Sequence, residues 1–196
     1  MLKQSQQGSL RQKEERRTSL GLPRLCVVDT NVPIVANLLQ KPDDSNCIDS
    51  KCILECIKYI KHVTTTQALV IDEGNCIFNE YMKHLTIGEP GVGNTFMKWV
   101  MNSRHCLPAN QNVRITEIAQ NEFEEFPKDP RLADFDPSDK KFVAVAIACS
   151  ENPSILQATD CKWIKWAPSL KEKGIEVKFL CPDYVKANYE KKSKRK

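Results

Sequence analysis

Long hydrophobic runs are missing from this chain of 196 residues. Its apolar segments stop well short of the roughly 18 residues that a membrane-spanning helix needs. The charged N-terminus has no apolar stretch after it, so no secretory signal peptide is expected. No internal repeat is visible either. The length and an apolar content of 41% predict a single cytoplasmic domain with a substantial core.

Two common ligand motifs are also missing. The glycine-rich stretch 88–93 lacks the Gly-Lys-Ser/Thr ending of a phosphate-binding loop, and we interpret it as a flexible hairpin or groove edge. The nine cysteines include no Cys-x-x-Cys pair. Cys52 and Cys56 stand one helical turn apart with His62 following, a spacing that matches no common zinc motif. The odd number of cysteines in the chain favours reduced thiols over a disulfide framework.

The net charge of +4 is unevenly distributed. Basic residues outnumber acidic ones in 1–20 and in 186–196, whereas 21–185 is acidic. We predict a polar arm over 1–20, one folded domain over 21–185 and a basic C-terminal tail over 186–196. Basic ends are compatible with nucleic-acid binding and, equally, with two solvated tails.

Short apolar runs alternate with amphipathic segments from residue 25 onward. The predicted strands are 25–28, 68–71, 155–158 and 175–180, with a weaker candidate at 112–116. The predicted helices are 33–40, 49–61, 75–85, 95–103, 138–149 and 162–170, and Ser138 is the expected N-cap of the fifth. This alternation is typical of a parallel sheet with helices on both faces.

Five acidic residues occupy informative places in this pattern. Asp29 and Asp160 each follow a predicted strand, Asp136 and Asp139 open a predicted helix, and Glu80 lies inside another. Open α/β sheets bind ligands at the carboxyl ends of their strands. Carboxylates gathered there would repel one another unless a cation neutralised them. The pattern therefore predicts a Mg²⁺ or Mn²⁺ site.

Each acid also has a structural interpretation. The four aspartates could cap helices or turns, and Glu80 could be an ordinary exposed helix residue. Neutral caps would serve those positions equally well, so the recurrence of Asp at corresponding junctions favours a site. Polar neighbours that could form a second shell or hold water are Thr30, Asn31, Ser138 and Thr159.

The motifs together resemble a PIN-domain nuclease. The matching pieces are VVDTN at 27–31, the helical Glu80, DKKFVAVA at 139–146 and ATD at 158–160. The resemblance covers about 24–181. It implies an α/β fold, a three-layer α/β/α sandwich with a central, mostly parallel five-stranded sheet. It also implies that four of the acids line a Mg²⁺ or Mn²⁺ site that hydrolyses RNA, with Asp136 as an accessory acid; the four are Asp29, Glu80, Asp139 and Asp160.

Two alternatives stay open within the resemblance. Asp72 or Glu73, at the end of the second predicted strand, could take the role of Glu80. The segment 86–127 is longer than a minimal PIN domain requires. We interpret it as an insert that shapes a substrate groove or a partner surface.

Other residues are candidates for substrate contact. Lysines that start helices or follow the acids could bind phosphates, with a solvated helix face as the alternative: Lys140, Lys141, Lys162 and Lys165. Trp99, Trp163 and Trp166 could stack on bases, although core packing is expected for at least two of them. Metal-assisted hydrolysis needs no histidine base, so the histidines at 62, 84 and 105 are interpreted as surface or structural residues.

The sequence therefore predicts a metal-dependent endoribonuclease of bacterial type with RNA as its partner. A structure-specific DNA nuclease is the second hypothesis, and a non-catalytic PIN-like interaction module is the third. No membrane partner is expected. A homo-oligomer or an inhibitory protein partner is compatible with the resemblance.

Overall fold

The structure, a computed structural model, describes residues 21–40 and 48–194. Its helices are α1 (Asn31–Asn37), α2 (Ser50–Thr66), α3 (Cys76–His84), α4 (Val92–Ser103), α5 (Lys140–Ala148), α6 (Trp163–Glu172) and α7 (Pro182–Ser193). Its strands are β1 (Cys26–Val28), β2 (Ile71–Asp72), β3 (Asn112–Val113), β4 (Glu117–Ala119), β5 (Glu122–Phe123), β6 (Ser154–Gln157) and β7 (Val177–Phe179). Single-turn 3-10 helices cover Arg104–Cys106, Pro130–Leu132 and Pro137–Asp139.

The strands form small separate sheets. A parallel sheet has the order β1-β6-β7, β2 pairs in parallel with β3, and β4 pairs antiparallel with β5. The predicted central five-stranded sheet is therefore wrong, and so is the three-layer sandwich built around it. The chain is α/β, but with sheets of three, two and two strands in its described part.

The three-stranded sheet ends at β1, on the edge of β1 that faces residues 68–71. Leu69 forms one isolated parallel bridge with Cys26, and the N–H of Val70 donates to the Cys26 carbonyl at 2.8 Å. The next carbonyl on this edge, that of Val28, accepts from the hydroxyl of Tyr81 instead of from a strand. The N–H of Ile71 points to the opposite side of the strand, where it donates to the Gln111 carbonyl. Pairing with β1 consequently stops after a single bridge.

Burial explains why β1 and β6 were visible in the sequence. Every residue of both strands is buried, so each strand forms an unbroken, largely apolar run rather than an alternating one. Helix α5 packs against both strands and is buried from Lys140 to Ala146. Because the three strands are parallel, their carboxyl ends, and the residues that follow them, lie along one edge of the sheet.

The segment 86–127 packs into the domain through helix α4. This helix contacts α1 and α2 and buries Phe96, Met97 and Val100. The glycine-rich stretch leads into α4, where the Asn37 side chain accepts from the N–H of Gly93 at 2.7 Å. The β4–β5 hairpin follows, in a stretch for which the sequence predicts neither helix nor strand. The interpretation of 86–127 as an insert stays a prediction.

The structure describes most of the predicted C-terminal tail but not the predicted N-terminal arm. The predicted arm at 1–20 lies outside the described residues. Residues 186–193 of the basic tail continue helix α7, which buries only Val185. No helix in the described ranges is both long and apolar enough to cross a membrane.

One pair of cysteines is joined in the part of the chain that the structure describes. Cys52 and Cys181 form a disulfide across 129 positions of the sequence. The preference for reduced thiols is therefore wrong for this pair. Free thiols are found at Cys26, Cys56, Cys76, Cys106, Cys149 and Cys161. Cys47 lies outside the described residues.

Candidate metal centre

Asp29 lies at the buried carboxyl end of β1. Its N–H donates to the carbonyl of Leu156 on β6 at 3.0 Å, and its Oδ1 accepts from the N–H of Asn31 at 2.8 Å. The residue is 1% exposed. Burial, the charge of Asp139 and, to a smaller degree, the charge of Asp160 raise the pKa of Asp29 to about 8. Asp29 is thus a carboxyl group held among other acids away from water.

Asp139 directly precedes α5 but does not cap it with its side chain. Its Oδ2 accepts from the indole N–H of Trp163 at 3.1 Å. Burial, followed by the charges of Asp136 and Asp160, raises the pKa of Asp139 to about 6. Asp29, Asp139 and Asp160 therefore lie close enough for their charges to act on one another, and we call the space between them the pocket.

Gln157 positions Asp160 after β6. The Gln157 side chain is fully buried, and its Oε1 accepts from the N–H of Ala158 at 2.7 Å and from that of Asp160 at 3.4 Å. The Oδ1 of Asp160 accepts from the N–H of Lys162 at 2.9 Å. Gln157 was not predicted as a site residue. The one feature that sets it apart in the sequence is that it is a polar residue within an apolar run.

Asp136 is held at the rim of the pocket by its own turn and by a lysine. Its Oδ1 accepts from the N–H of Ser138 at 3.1 Å and from the Ser138 hydroxyl at 2.8 Å. Its Oδ2 accepts from Lys162 at 2.9 Å, and this contact lowers the pKa of Asp136. The prediction of Ser138 as N-cap is wrong, because Asp136 caps the 3-10 turn that precedes α5.

Glu80 on α3 is surrounded by the side-chain nitrogens of two lysines and a histidine. Its carboxylate lies 3.3 Å from Lys83, 3.5 Å from the His84 ring and 3.8 Å from Lys141. The buried Lys141 also lowers the pKa of Asp139, so its charge reaches both carboxylates. The structure therefore groups Glu80 with a lysine at the edge of the pocket. The contact between His84 and Glu80 was not predicted.

The alternative to Glu80 at the end of β2 is a helix cap. Both carboxylate oxygens of the buried Asp72 accept backbone N–H groups at the start of α3, from Cys76 at 2.6 Å and Ile77 at 2.9 Å. Glu73 is exposed. Since the oxygens of Asp72 are already used, Glu80 stays the candidate on this side.

Two buried polar atoms near the aspartates lack partners. Thr30 Oγ1 and Gln157 Nε2 have no hydrogen bond in the described part of the chain. Buried polar groups are nearly always satisfied by protein or water. These orphaned atoms and the oxygen ligands beside them fit a hydrated hard cation. No three acids of the described chain bring one oxygen each within 4.8 Å of one another, so the aspartates would have to move closer together to share one cation.

The candidate phosphate ligands divide into two pairs. Lys140 is paired with both oxygens of Glu122, at 2.6 and 2.7 Å, and the buried Lys141 donates to the Ser138 carbonyl. Lys162 and Lys165 are half-exposed and pair with Asp136 and Asp134. These two lysines line a cavity of about 740 Å³. Lys140 lines a separate cavity of about 380 Å³, so the second pair is distinguished by facing the larger space.

Two of the three tryptophans pack in the core, as predicted. Trp163 and Trp166 are buried on α6, and both donate their indole N–H to aspartates. Trp99 is half-buried and stacks on Phe96. Trp163 therefore contributes to the pocket through its hydrogen bond to Asp139, a role that the sequence did not indicate.

Comparisons of the chain with protein-family models, with curated proteins and with solved structures found no match. The resemblance to PIN-domain nucleases therefore depends on the sequence motifs alone and stays a prediction.

Proposed function

We propose that this protein is a metal-dependent ribonuclease in which Asp29, Asp139 and Asp160 hold Mg²⁺ or Mn²⁺. The observation that carries the proposal is the position of Asp29, which is 1% exposed at the carboxyl end of β1, where burial and the nearby charges of Asp139 and Asp160 raise its pKa. Like charges crowded away from water destabilise one another, and a bound divalent cation reverses that effect. A set of carboxylate oxygens suits these hard cations.

A cation bound there would supply Lewis-acid activation of a phosphodiester and of the attacking water. The residues of the chain orient its ligands. The N–H of Asn31 fixes the Asp29 carboxylate, and the Trp163 indole fixes that of Asp139. Gln157 holds the turn that presents Asp160.

Glu80 and Asp136 act at the rim in this proposal. Each is within ion-pair distance of a lysine, Lys141 for Glu80 and Lys162 for Asp136. A substrate phosphate would compete with Asp136 for the half-exposed Lys162. A carboxylate released in this way could then turn to the cation.

The cavity beside the pocket supports a polyanionic substrate. Asp136 and Lys162 line it together with Lys165, and α7 adds Tyr189 and Lys192. Lysines neutralise backbone phosphates, and aromatic rings offer stacking surfaces to unpaired bases. We therefore propose single-stranded RNA as the substrate. The cytoplasmic location and an oligomeric or inhibitory partner stay predictions.

Cleavage of a mixed pool of RNA and DNA tests the proposal. Wild type with Mn²⁺ or Mg²⁺ should cut RNA, and chelator should abolish the cutting. Asp29→Asn and Asp139→Asn should both be inactive while remaining folded. Asp49→Asn is the matched control, because Asp49 is an exposed helix cap and asparagine caps equally well.

Three other results of these experiments would lead to different conclusions. Cleavage retained in both variants would contradict the proposed site. Metal-dependent cutting of DNA alone would identify a DNA nuclease. Calorimetry that detects no Mn²⁺ binding at millimolar metal, with or without RNA, would identify a non-catalytic interaction module.

A further inference from the structure

Three cysteine sulfurs meet where α2 approaches the start of α7. Cys52 and Cys56 are one turn apart on α2, and Cys181 directly precedes α7. Their sulfur atoms all lie within 4.8 Å of one another. No other three ligand atoms of Cys, His, Asp or Glu are that close in the described ranges. His62 is not part of the cluster, since its ring contacts the Pro23 carbonyl at 2.8 Å.

The cluster is buried and borders a cavity. Cys56 is completely buried, whereas Cys52 and Cys181 line a cavity of about 350 Å³. Charged residues line the same cavity, and the acids outnumber the bases; they are Asp49, Glu55, Asp183, Lys51 and Lys178. A cation could therefore approach the two outer sulfurs through a weakly negative space.

We propose that Cys52, Cys56 and Cys181 form a zinc site when the protein is reduced. Three thiolates would provide three of the four ligands of tetrahedral zinc, and the cavity leaves the fourth position to water or a small ligand. Sulfur ligands favour Zn²⁺ over Mg²⁺ and Mn²⁺. The site is chemically distinct from the aspartate pocket and does not depend on the proposed nuclease function.

The disulfide has to open before zinc can bind. A dithiol reductant supplies two electrons and two protons, leaves as its own disulfide and converts Cys52 and Cys181 into thiols. Zinc then displaces one proton from each of the three thiols. A disulfide oxidant that removes two electrons from Cys52 and Cys181 re-forms their bond and releases zinc. The cluster therefore binds zinc only in its reduced state.

Cys56 is the member of the cluster that does not take part in the disulfide. It is completely buried, and its thiol is free beside the bond between Cys52 and Cys181. Once that bond opens, three thiols stand together at one place.

Helix α2 and the start of α7 would be linked in both redox states of the cysteines. The Cys52–Cys181 disulfide joins α2 to the start of α7 in the oxidised chain, and zinc would join them in the reduced chain. Helix α7 also contributes Tyr189 and Lys192 to the larger cavity. The wall that α7 adds to this cavity would therefore stay attached to α2 under reducing conditions.

Titration of the full chain with Co²⁺ tests the proposal. Wild type, reduced with a phosphine and freed of it, should bind one equivalent with a thiolate-to-cobalt charge-transfer band that zinc removes. Oxidised wild type should show no band. Cys56→Ser should still form the disulfide but, when reduced, should lose more affinity than the ~10- to 100-fold that loss of an outer-shell partner costs. Cys106→Ser, which removes an exposed free thiol, is the control.

A lack of the band in reduced wild type, or an undiminished band in Cys56→Ser, would overturn the proposal. A second measurement needs no variant: elemental analysis after gel filtration should find one more zinc per reduced chain than per oxidised chain. Equal zinc content in the two forms would also overturn it. Asp29→Asn should keep the band, so failure of the zinc site and failure of the nuclease proposal can be told apart.

Discussion

The indole N–H of Trp163 donates to Oδ2 of Asp139 at 3.1 Å, which connects α6 to the residue before α5. The Trp163 ring is fully buried and packs edge-on against Phe135. Its hydrogen bond lowers the pKa of Asp139 while burial and neighbouring acids raise it. Trp166, on the same helix, donates to Asp134 at the same distance but outside the set of pocket acids. The two tryptophans form a natural pair of test and control.

Replacing Trp163 by Phe should raise the pKa of Asp139 further, because the carboxylate loses a hydrogen bond that stabilises its charged form. The acidic limb of the pH–rate profile for RNA cleavage should move up by about one to two pH units, since a hydrogen bond to a charged group contributes ~1.5–3 kcal/mol. Trp166→Phe should leave that limb in place. Equal shifts in both variants would show that the effect comes from packing.

Asp29→Asn should stabilise the metal-free protein, and increasingly so as pH rises. The pKa of Asp29 is about 8 in the folded state and 3.8 in its ordinary state. Between these values the folded state holds a proton that the unfolded state has lost, so wild-type stability falls as pH rises from about 4 to 8. Asparagine keeps an oxygen acceptor for the Asn31 N–H and does not ionise.

Thermal unfolding in chelator from pH 4 to pH 9 measures this effect. The melting temperature of Asp29→Asn minus that of wild type should grow with pH, and each 1 kcal/mol corresponds to roughly 2–4 °C for a chain of this size. The exposed Asp49→Asn is the control. A difference that does not change with pH would mean that Asp29 is not a buried acid with a raised pKa.

Gly93→Ala should destabilise the fold even though alanine favours helices. A Cβ at this position would collide with the Pro33 carbonyl, where α4 crosses α1. Alanine normally adds about 1 kcal/mol to a helix in place of glycine. A net loss of about 1–3 kcal/mol is expected from the overpacking. Denaturant unfolding checks it, with the exposed Lys98→Ala on the same helix as the control.

Loss of the Cys52–Cys181 bond should lower the free energy of unfolding. The bond closes a loop of 129 residues, which constrains the unfolded chain by up to about 5 kcal/mol in the chain-entropy description. Urea unfolding of oxidised wild type and of Cys181→Ser, both in chelator, gives the difference. Cys106→Ser should unfold with the wild-type midpoint. Equal stability of Cys181→Ser and wild type would mean that the bond is absent from the folded protein.

The elements that the sequence predicted best are those in which local chemistry and burial agree. The apolar runs at β1 and β6 are buried throughout, so no alternation hides them. The sheet connections were predicted wrongly because they depend on a distant contact. The Tyr81 hydroxyl takes the Val28 carbonyl across 53 positions of the sequence, and no local pattern reports such a bond.

In the candidate site, too, some features are visible in the local sequence and others depend on distant contacts. The positions of Asp29 and Asp160 after strands are visible in the sequence, because parallel strands place their carboxyl ends on one edge. The hydrogen bond from Trp163 and the ion pair of Lys141 with Glu80 are not visible there. Lys141 was expected to meet phosphates, yet it is buried beside a carboxylate. Whether a lysine faces solvent or a buried carboxylate depends on the direction of its side chain, and sequence spacing does not define that direction.

The sequence by itself determined that this is an α/β chain with acids at the ends of its buried strands, because hydrophobic periodicity and turn chemistry act over a few neighbouring residues. Only the tertiary structure decided which acids share a pocket, which lysines are already paired and which cysteines meet. Those outcomes depend on contacts between residues tens of positions apart. Their energies come from burial and mutual charge, which exist only once the chain has folded.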